Sequence, residues 1–219
     1  MKNIIIAPSI LSADFNNLKR DIELVEQAGA EFLHFDVMDG HFVPNISFGI
    51  PVLKCIANSH KMVNDVHIMI SDPLFYAEEF IKSGADYLTF HYEACKDEKE
   101  VQKVIDLIHS CGAKVGLSIK PKTDVRVLDK FIPSVDMILI MSDEPVFGGQ
   151  SYMPNALDKI SYLRKAIDDN GYKCLIEVDG GINNETAKLC KEAGVDVLVA
   201  GSYLFGHEDI KERLLGLKK

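Results

Sequence analysis

Short runs rich in β-branched and apolar residues recur eight times along the 219-residue chain, each followed by a polar loop and then by a stretch predicted to be helical. The candidate strands are Ile4 to Ile10, Phe32 to Val37, Val63 to Ile70, Tyr87 to His91, Lys114 to Ile119, Met137 to Met141, Cys174 to Asp179 and Val197 to Ala200. Strands separated by helices pair in parallel, so the pattern predicts an α/β protein with a parallel sheet. A second regularity supports the count. The triplets Ala28-Gly29-Ala30, Ser83-Gly84-Ala85, Cys111-Gly112-Ala113 and Ala193-Gly194-Val195 each place a glycine where a helix ends and a strand is about to start. Glycine suits the left-handed position after a last helical turn. These glycines stand 55, 28 and 82 residues apart, close to two, one and three multiples of one βα unit of about 27 residues. An open doubly wound sheet has the same alternation. Eight units, with no Gly-rich dinucleotide fingerprint after the first strand, favour closure into a (β/α)8 TIM barrel.

Residues 1–219 read as one catalytic domain, since the length is ordinary for one domain and 47% hydrophobic residues fill a sizeable core. A net charge of -9 argues against a nonspecific nucleic-acid or anionic-membrane surface, both of which need clustered Lys and Arg. Any bound phosphate must therefore be held locally. The cysteines, Cys55, Cys95, Cys111, Cys174 and Cys190, are odd in number and form no CxxC pair, which predicts reduced thiols in a cytoplasmic protein. Met1 to Leu11 reads as a buried first strand and not as a signal peptide, and no apolar run reaches the length of a spanning helix.

In such a barrel, polar side chains at the C-terminal ends of the strands form the active site. His34 and Asp36 lie two apart on the second strand and so project to the same side. His67 closes the third strand and Asp179 the seventh. Together they predict a His2Asp2 site for one divalent ion, with Zn, Fe(II), Mn and Co all compatible. His91, ending the fourth strand, is the nearest competitor as a ligand; His41, His60, His109 and His207 read as surface residues. Asp36 and Asp179, on strands that face each other across the barrel mouth, suggest two-base chemistry. One aspartate would remove a proton from a carbon next to a metal-polarised ketone, and the other would return one to the opposite face.

Glycines at Gly148-Gly149, Gly180-Gly181 and Gly201-Ser202 follow strands six, seven and eight, where backbone N–H groups can cradle a phosphate. Met38, Met69 and Met141 follow strand ends and offer an apolar patch for a substrate's carbon face, or simply pack the core.

The segments Ala7 to Asp14, His34 to Asn45, Asp65 to Met69, Phe147 to Gln150, Glu177 to Ile182 and Val199 to Ser202 resemble the ribulose-phosphate 3-epimerase family. The resemblance implies a ribulose-phosphate-binding barrel that interconverts D-ribulose 5-phosphate and D-xylulose 5-phosphate. It also implies His34, Asp36, His67 and Asp179 as metal ligands, with Asp36 as proton acceptor and Asp179 as proton donor. Ser9, His67, the strand-six loop (Val146, Phe147, Gly148 and Gly149), Gly180, Gly181, Gly201 and Ser202 would contact a ketose phosphate, and a homo-oligomer is expected. The chain departs from the family pattern at Ser142-Asp143, Val146, Tyr203 and Lys120-Pro121, so a six-carbon ketose phosphate such as D-allulose 6-phosphate is the alternative substrate. A decarboxylase on the same barrel would carry Asp-x-Lys-x-x-Asp, whereas Asp36-Val37-Met38-Asp39 has Met in place of the Lys.

Overall fold

A computed structural model of the chain describes residues 3–142 and 155–219. The expected positions at Asp143, Val146, Phe147, Gly148 and Gly149 lie outside the described residues. Eight parallel strands are present: β1 (Ile5–Pro8), β2 (Phe32–Met38), β3 (Val63–Met69), β4 (Tyr87–His91), β5 (Lys114–Ile119), β6 (Met137–Met141), β7 (Leu175–Asp179) and β8 (Val197–Ala200). Seven α-helices accompany them among the described residues: α1 (Leu18–Gln27), α2 (Ile50–Ile56), α3 (Pro73–Lys82), α4 (Glu98–Ser110), α5 (Asn155–Asn170), α6 (Asn184–Ala193) and α7 (Ile210–Lys218). All eight predicted strands occur, shifted by two residues at most.

The sheet runs β1-β8-β7-β6-β5-β4-β3-β2, and the ring closes between β1 and β2 through the Ser9–His34 bridge and the Glu31 N–H to Ile6 carbonyl bond of 3.3 Å. Closure decides the barrel over the open sheet. Alternation then separates two apolar regions. Ile6, Leu33, Phe35, Val66, Ile68, Leu88 and Phe90 point outward and pack with Ile22 and Val25 of α1, Leu53 of α2 and Phe80 of α3. Residues of the opposite parity, Ala7, Phe32, Met137, Val197 and Val199, fill the lower interior.

The helix boundaries follow local chemistry. Asp72, Asp97 and Asn183 accept from backbone N–H groups at the starts of α3, α4 and α6. Gly29, Gly84, Gly112 and Gly194 take positive φ, as the helix-end repeat predicts. One unit departs from strict alternation. Between β5 and β6 the chain makes two short 3-10 turns, Val125–Leu128 and Ile132–Ser134, where a helix was expected. Pro133 removes a donor and clashes with a preceding turn, which stops a longer helix there.

Among the described residues no helix is long and apolar enough to cross a membrane. His41, His109 and His207 are exposed, whereas His60 is half-buried against the expectation of a surface residue. Both of its ring nitrogens are enclosed without a hydrogen-bond partner among the described residues, and burial lowers its pKa.

Candidate active site

The interior side chains of β2 and β3 are placed by register: His34 lies opposite Asp65, Asp36 opposite His67, and Met38 opposite Met69. On the other side of the ring Met141 pairs with Asp179. The result brings together the four residues expected to ligate a metal. One ligand atom from each of His34, Asp36, His67 and Asp179 lies within 4.8 Å of the other three. Asp36 Oδ1 is 3.2 Å from His34 Nε2 and 3.1 Å from His67 Nδ1, and Asp179 Oδ2 is 3.9 Å from His34 Nε2. Only Asp179 of the four is partly exposed, at the mouth.

The electrostatics of the cluster are those of a cation site. Burial disfavours charge on His34, yet Asp36 and Asp65 outweigh it and hold this imidazole well above its ordinary pKa. Burial likewise pushes Asp36 up, but His34 and His67 bring it far below the usual carboxylate range. The charge balance of the pocket thus favours a cation. Two imidazoles and two carboxylates converging in this way fit a Zn, Fe(II), Mn or Co ion by donor chemistry. A buried His/Asp cluster able to hold a metal is therefore present, as expected.

Ser9, which follows β1, donates a 2.6 Å hydrogen bond from Oγ to Asp36 Oδ2. The loops after β7, β8 and β1 are neighbours, so Gly180, Gly181, Gly201, Ser202 and Ser9 gather on one side of the mouth. Gly180 and Gly181 have φ of 116° and 61°, a conformation that side chains disfavour. A Cβ on Gly201 would lie 2.5 Å from Ser12 Oγ. Met38 and Met69 pack with Val43, Leu11 and Phe42 at the mouth, while Met141 is buried apart from that group.

Several residues around the site carry no sequence signal of their own. Asp65 Oδ2 meets His34 Nδ1 at 2.5 Å. Glu177, fully buried two residues before Asp179, is held well above its ordinary pKa by burial and by Asp65. A carboxyl buried in a barrel interior is cryptic in sequence, because strand periodicity alone does not show what encloses that side. His91 is not among the converging ligands; its Nε2 lies 2.9 Å from His67 Nε2, and burial lowers its pKa to about 4. Ser142, one of the departures from the family pattern, donates from Oγ to the Asp179 carbonyl at 2.9 Å and also to the Gly180 carbonyl. It ties the ends of β6 and β7 together. Tyr203 packs against the main core, with Arg213 Cζ 5.1 Å from its ring. Asp39 accepts from the backbone N–H groups of His41, Phe42 and Ser71, which joins the loops after β2 and β3.

A parallel eight-stranded barrel with an acid/base cluster at the C-terminal ends of its strands defines a barrel enzyme with paired carboxylates and a metal-compatible pocket. The chain matches the model of the Ribulose-phosphate 3 epimerase family over residues 5–205 and belongs to that family. It is accordingly an isomerase, an epimerase. It is 43% identical to the Ribulose-phosphate 3-epimerase of Chlamydia muridarum (strain MoPn / Nigg), over 99% of this chain and 96% of that protein. To the Ribulose-phosphate 3-epimerase of Bacillus subtilis (strain 168) it is 44% identical, over 95% of each. Among solved structures it resembles the 3-keto-L-gulonate-6-phosphate decarboxylase from Vibrio cholerae O1 biovar El Tor str. N16961, with a TM-score of 0.72 and 13% identity over 99% of this chain and 96% of that one. At that identity the likeness concerns the barrel alone.

Proposed function

We propose that the 219 residues act as one catalytic domain that interconverts D-ribulose 5-phosphate and D-xylulose 5-phosphate by moving the proton on C3. The observation that carries this reading is the convergence of Asp36 from β2 and Asp179 from β7 with two imidazoles in one buried pocket. A divalent ion held by His34, Asp36, His67 and Asp179 would acidify the C–H next to the substrate ketone and offset the negative charge of the enediolate. Asp36 takes the proton from one face of C3. Asp179 delivers a proton to the other face, which inverts the carbon. Ser9 holds the Asp36 carboxylate by its second oxygen and leaves the first directed at the pocket. Gly180, Gly181, Gly201 and Ser202 bind the phosphate through backbone N–H groups, which suits a chain of net charge -9. The strand-six loop residues Val146, Phe147, Gly148 and Gly149 are proposed as further substrate contacts, and Met38 and Met69 face the sugar carbons.

The test is a side-by-side assay of metal-defined protein on ribulose 5-phosphate and allulose 6-phosphate. A higher kcat/KM for the five-carbon substrate supports the reading. Turnover of the six-carbon compound alone overturns it.

A further inference from the structure

Behind His67, on the side away from Asp36, a second line of polar groups runs toward the loop after β5. Glu93 lies in the 3-10 turn Tyr92–Ala94 that follows β4. Its Oε1 accepts from the Lys120 N–H at 2.7 Å and from the Thr123 hydroxyl, so the carboxylate is pinned by the next loop. Its Oε2 points back at His91 Nδ1, 3.4 Å away. Neither of these two buried atoms makes a hydrogen bond among the described residues, and each is placed to satisfy the other. They are complementary only if the nitrogen carries the proton, because a carboxylate offers lone pairs alone.

That assignment propagates. His91 is fully buried, and its Nε2 stands 2.9 Å from His67 Nε2. Two ring nitrogens at that distance need one proton between them. With the His91 proton on Nδ1, its Nε2 accepts and His67 Nε2–H donates. His67 Nδ1 is then left with a lone pair, 3.1 Å from Asp36 Oδ1. A lone pair facing a carboxylate oxygen repels it where no cation lies between them, so in the metal-free protein the relay must hold this tautomer against that repulsion. In the opposite arrangement His67 Nδ1–H would donate to Asp36, and its proton would sit where a cation must bind. The Phe42 ring covers His91 at 5.0 Å between centroids, Lys120 Nζ lies 3.9 Å from the centre of the Phe42 ring, and both histidines are fully buried, so water has little access to the pair.

We propose that Glu93 and His91 are positioning residues that fix the tautomer of His67, keeping its Nδ1 lone pair aimed at the metal pocket. The inference rests on the metal reading given under the proposed function, but its test can be separated from that reading. Outer carboxylate and imidazole partners orient metal-binding histidines generally, and their loss costs about 10-fold to 100-fold in metal affinity. Glu93→Gln keeps a carbonyl oxygen for Lys120 and Thr123 and turns an NH2 donor toward His91 Nδ1. The relay should then invert, leaving His67 protonated on Nδ1.

The experiment is a long-range ¹H–¹⁵N correlation spectrum of histidine-labelled, metal-free protein, paired with zinc affinity by chelator competition, for wild type, Glu93→Gln and Thr123→Val. Expected are an Nε2–H tautomer at His67 in wild type and an Nδ1–H tautomer in Glu93→Gln. Zinc affinity should fall about 10-fold to 100-fold in Glu93→Gln. Thr123→Val removes a tie to the β5 loop but spares the relay, and should keep both the wild-type tautomer and the wild-type affinity. An Nδ1–H or doubly protonated His67 in wild type overturns the proposal, and so does an equal loss of affinity in the two variants. A wild-type protein with His67 as Nε2–H that binds no zinc supports the relay and removes the metal reading instead. The wild-type spectrum is decisive even if Glu93→Gln does not fold.

Discussion

Ser9 Oγ donates a buried 2.6 Å hydrogen bond to Asp36 Oδ2, linking the loop after β1 to the inner face of β2 across the point where the barrel closes. The bond leaves Asp36 Oδ1 between the two histidines. Ser9→Ala strips a donor from a buried carboxylate, which costs about 1 to 3 kcal/mol in stability. We expect a lower Tm together with a fall in kcat of about 10-fold, since a misaligned base loses part of its advantage. Thermal denaturation and steady-state assays of the same preparation measure both, and an unchanged kcat would remove Ser9 from the positioning of the base.

Asp36→Asn and Asp179→Asn are each expected to slow epimerisation by about 10²-fold to 10⁴-fold, the scale of a positioned acid or base. The two variants should differ in isotope exchange. With Asp179 replaced, Asp36 still removes the C3 proton of one epimer, so deuterium from solvent enters that epimer without net conversion. NMR of the recovered substrate reads this directly. Near-wild-type turnover in either variant would refute the assignment.

Removing divalent ions by exhaustive chelation should abolish turnover, and adding back Zn, Fe(II), Mn or Co should restore it to different extents, because all four suit the donor set. The same loss should follow from His34→Ala without chelation. Elemental analysis alongside the assay checks the point: full activity in protein shown to be metal-free would contradict it.

Acid should destabilise the fold through Glu93. Burial raises its pKa, but bonds from His91, Thr123 and the Lys120 N–H outweigh this and bring it from 4.5 to about 2. A carboxylate whose folded pKa is depressed stabilises the fold above its unfolded value, and that contribution is lost as pH falls through the folded value. The window therefore runs from about pH 4.5 down to about 2. Unfolding of metal-free protein followed from pH 6 to pH 2.5 should show a shallower decline for Glu93→Gln than for wild type. Parallel curves would mean that these bonds do not hold Glu93 ionised.

By itself the sequence determined the number and order of the strands, the helix-ending glycines and the four residues that converge at the mouth. These are properties of period and position. A two-residue alternation puts His34 and Asp36 on one face whatever the neighbours are, and a place near the C-terminal end of a strand brings His67 and Asp179 to the mouth. Tertiary structure alone decided which residues stand behind them. Asp65 reaches His34 because β2 and β3 pair in that register, Glu177 is buried because the ring closes over it, and Glu93 meets His91 because the loop after β5 folds back onto it. It also replaced the expected fifth helix by two 3-10 turns and enclosed His60. Register and loop path are set by contacts between residues distant in the chain, which no local periodicity encodes.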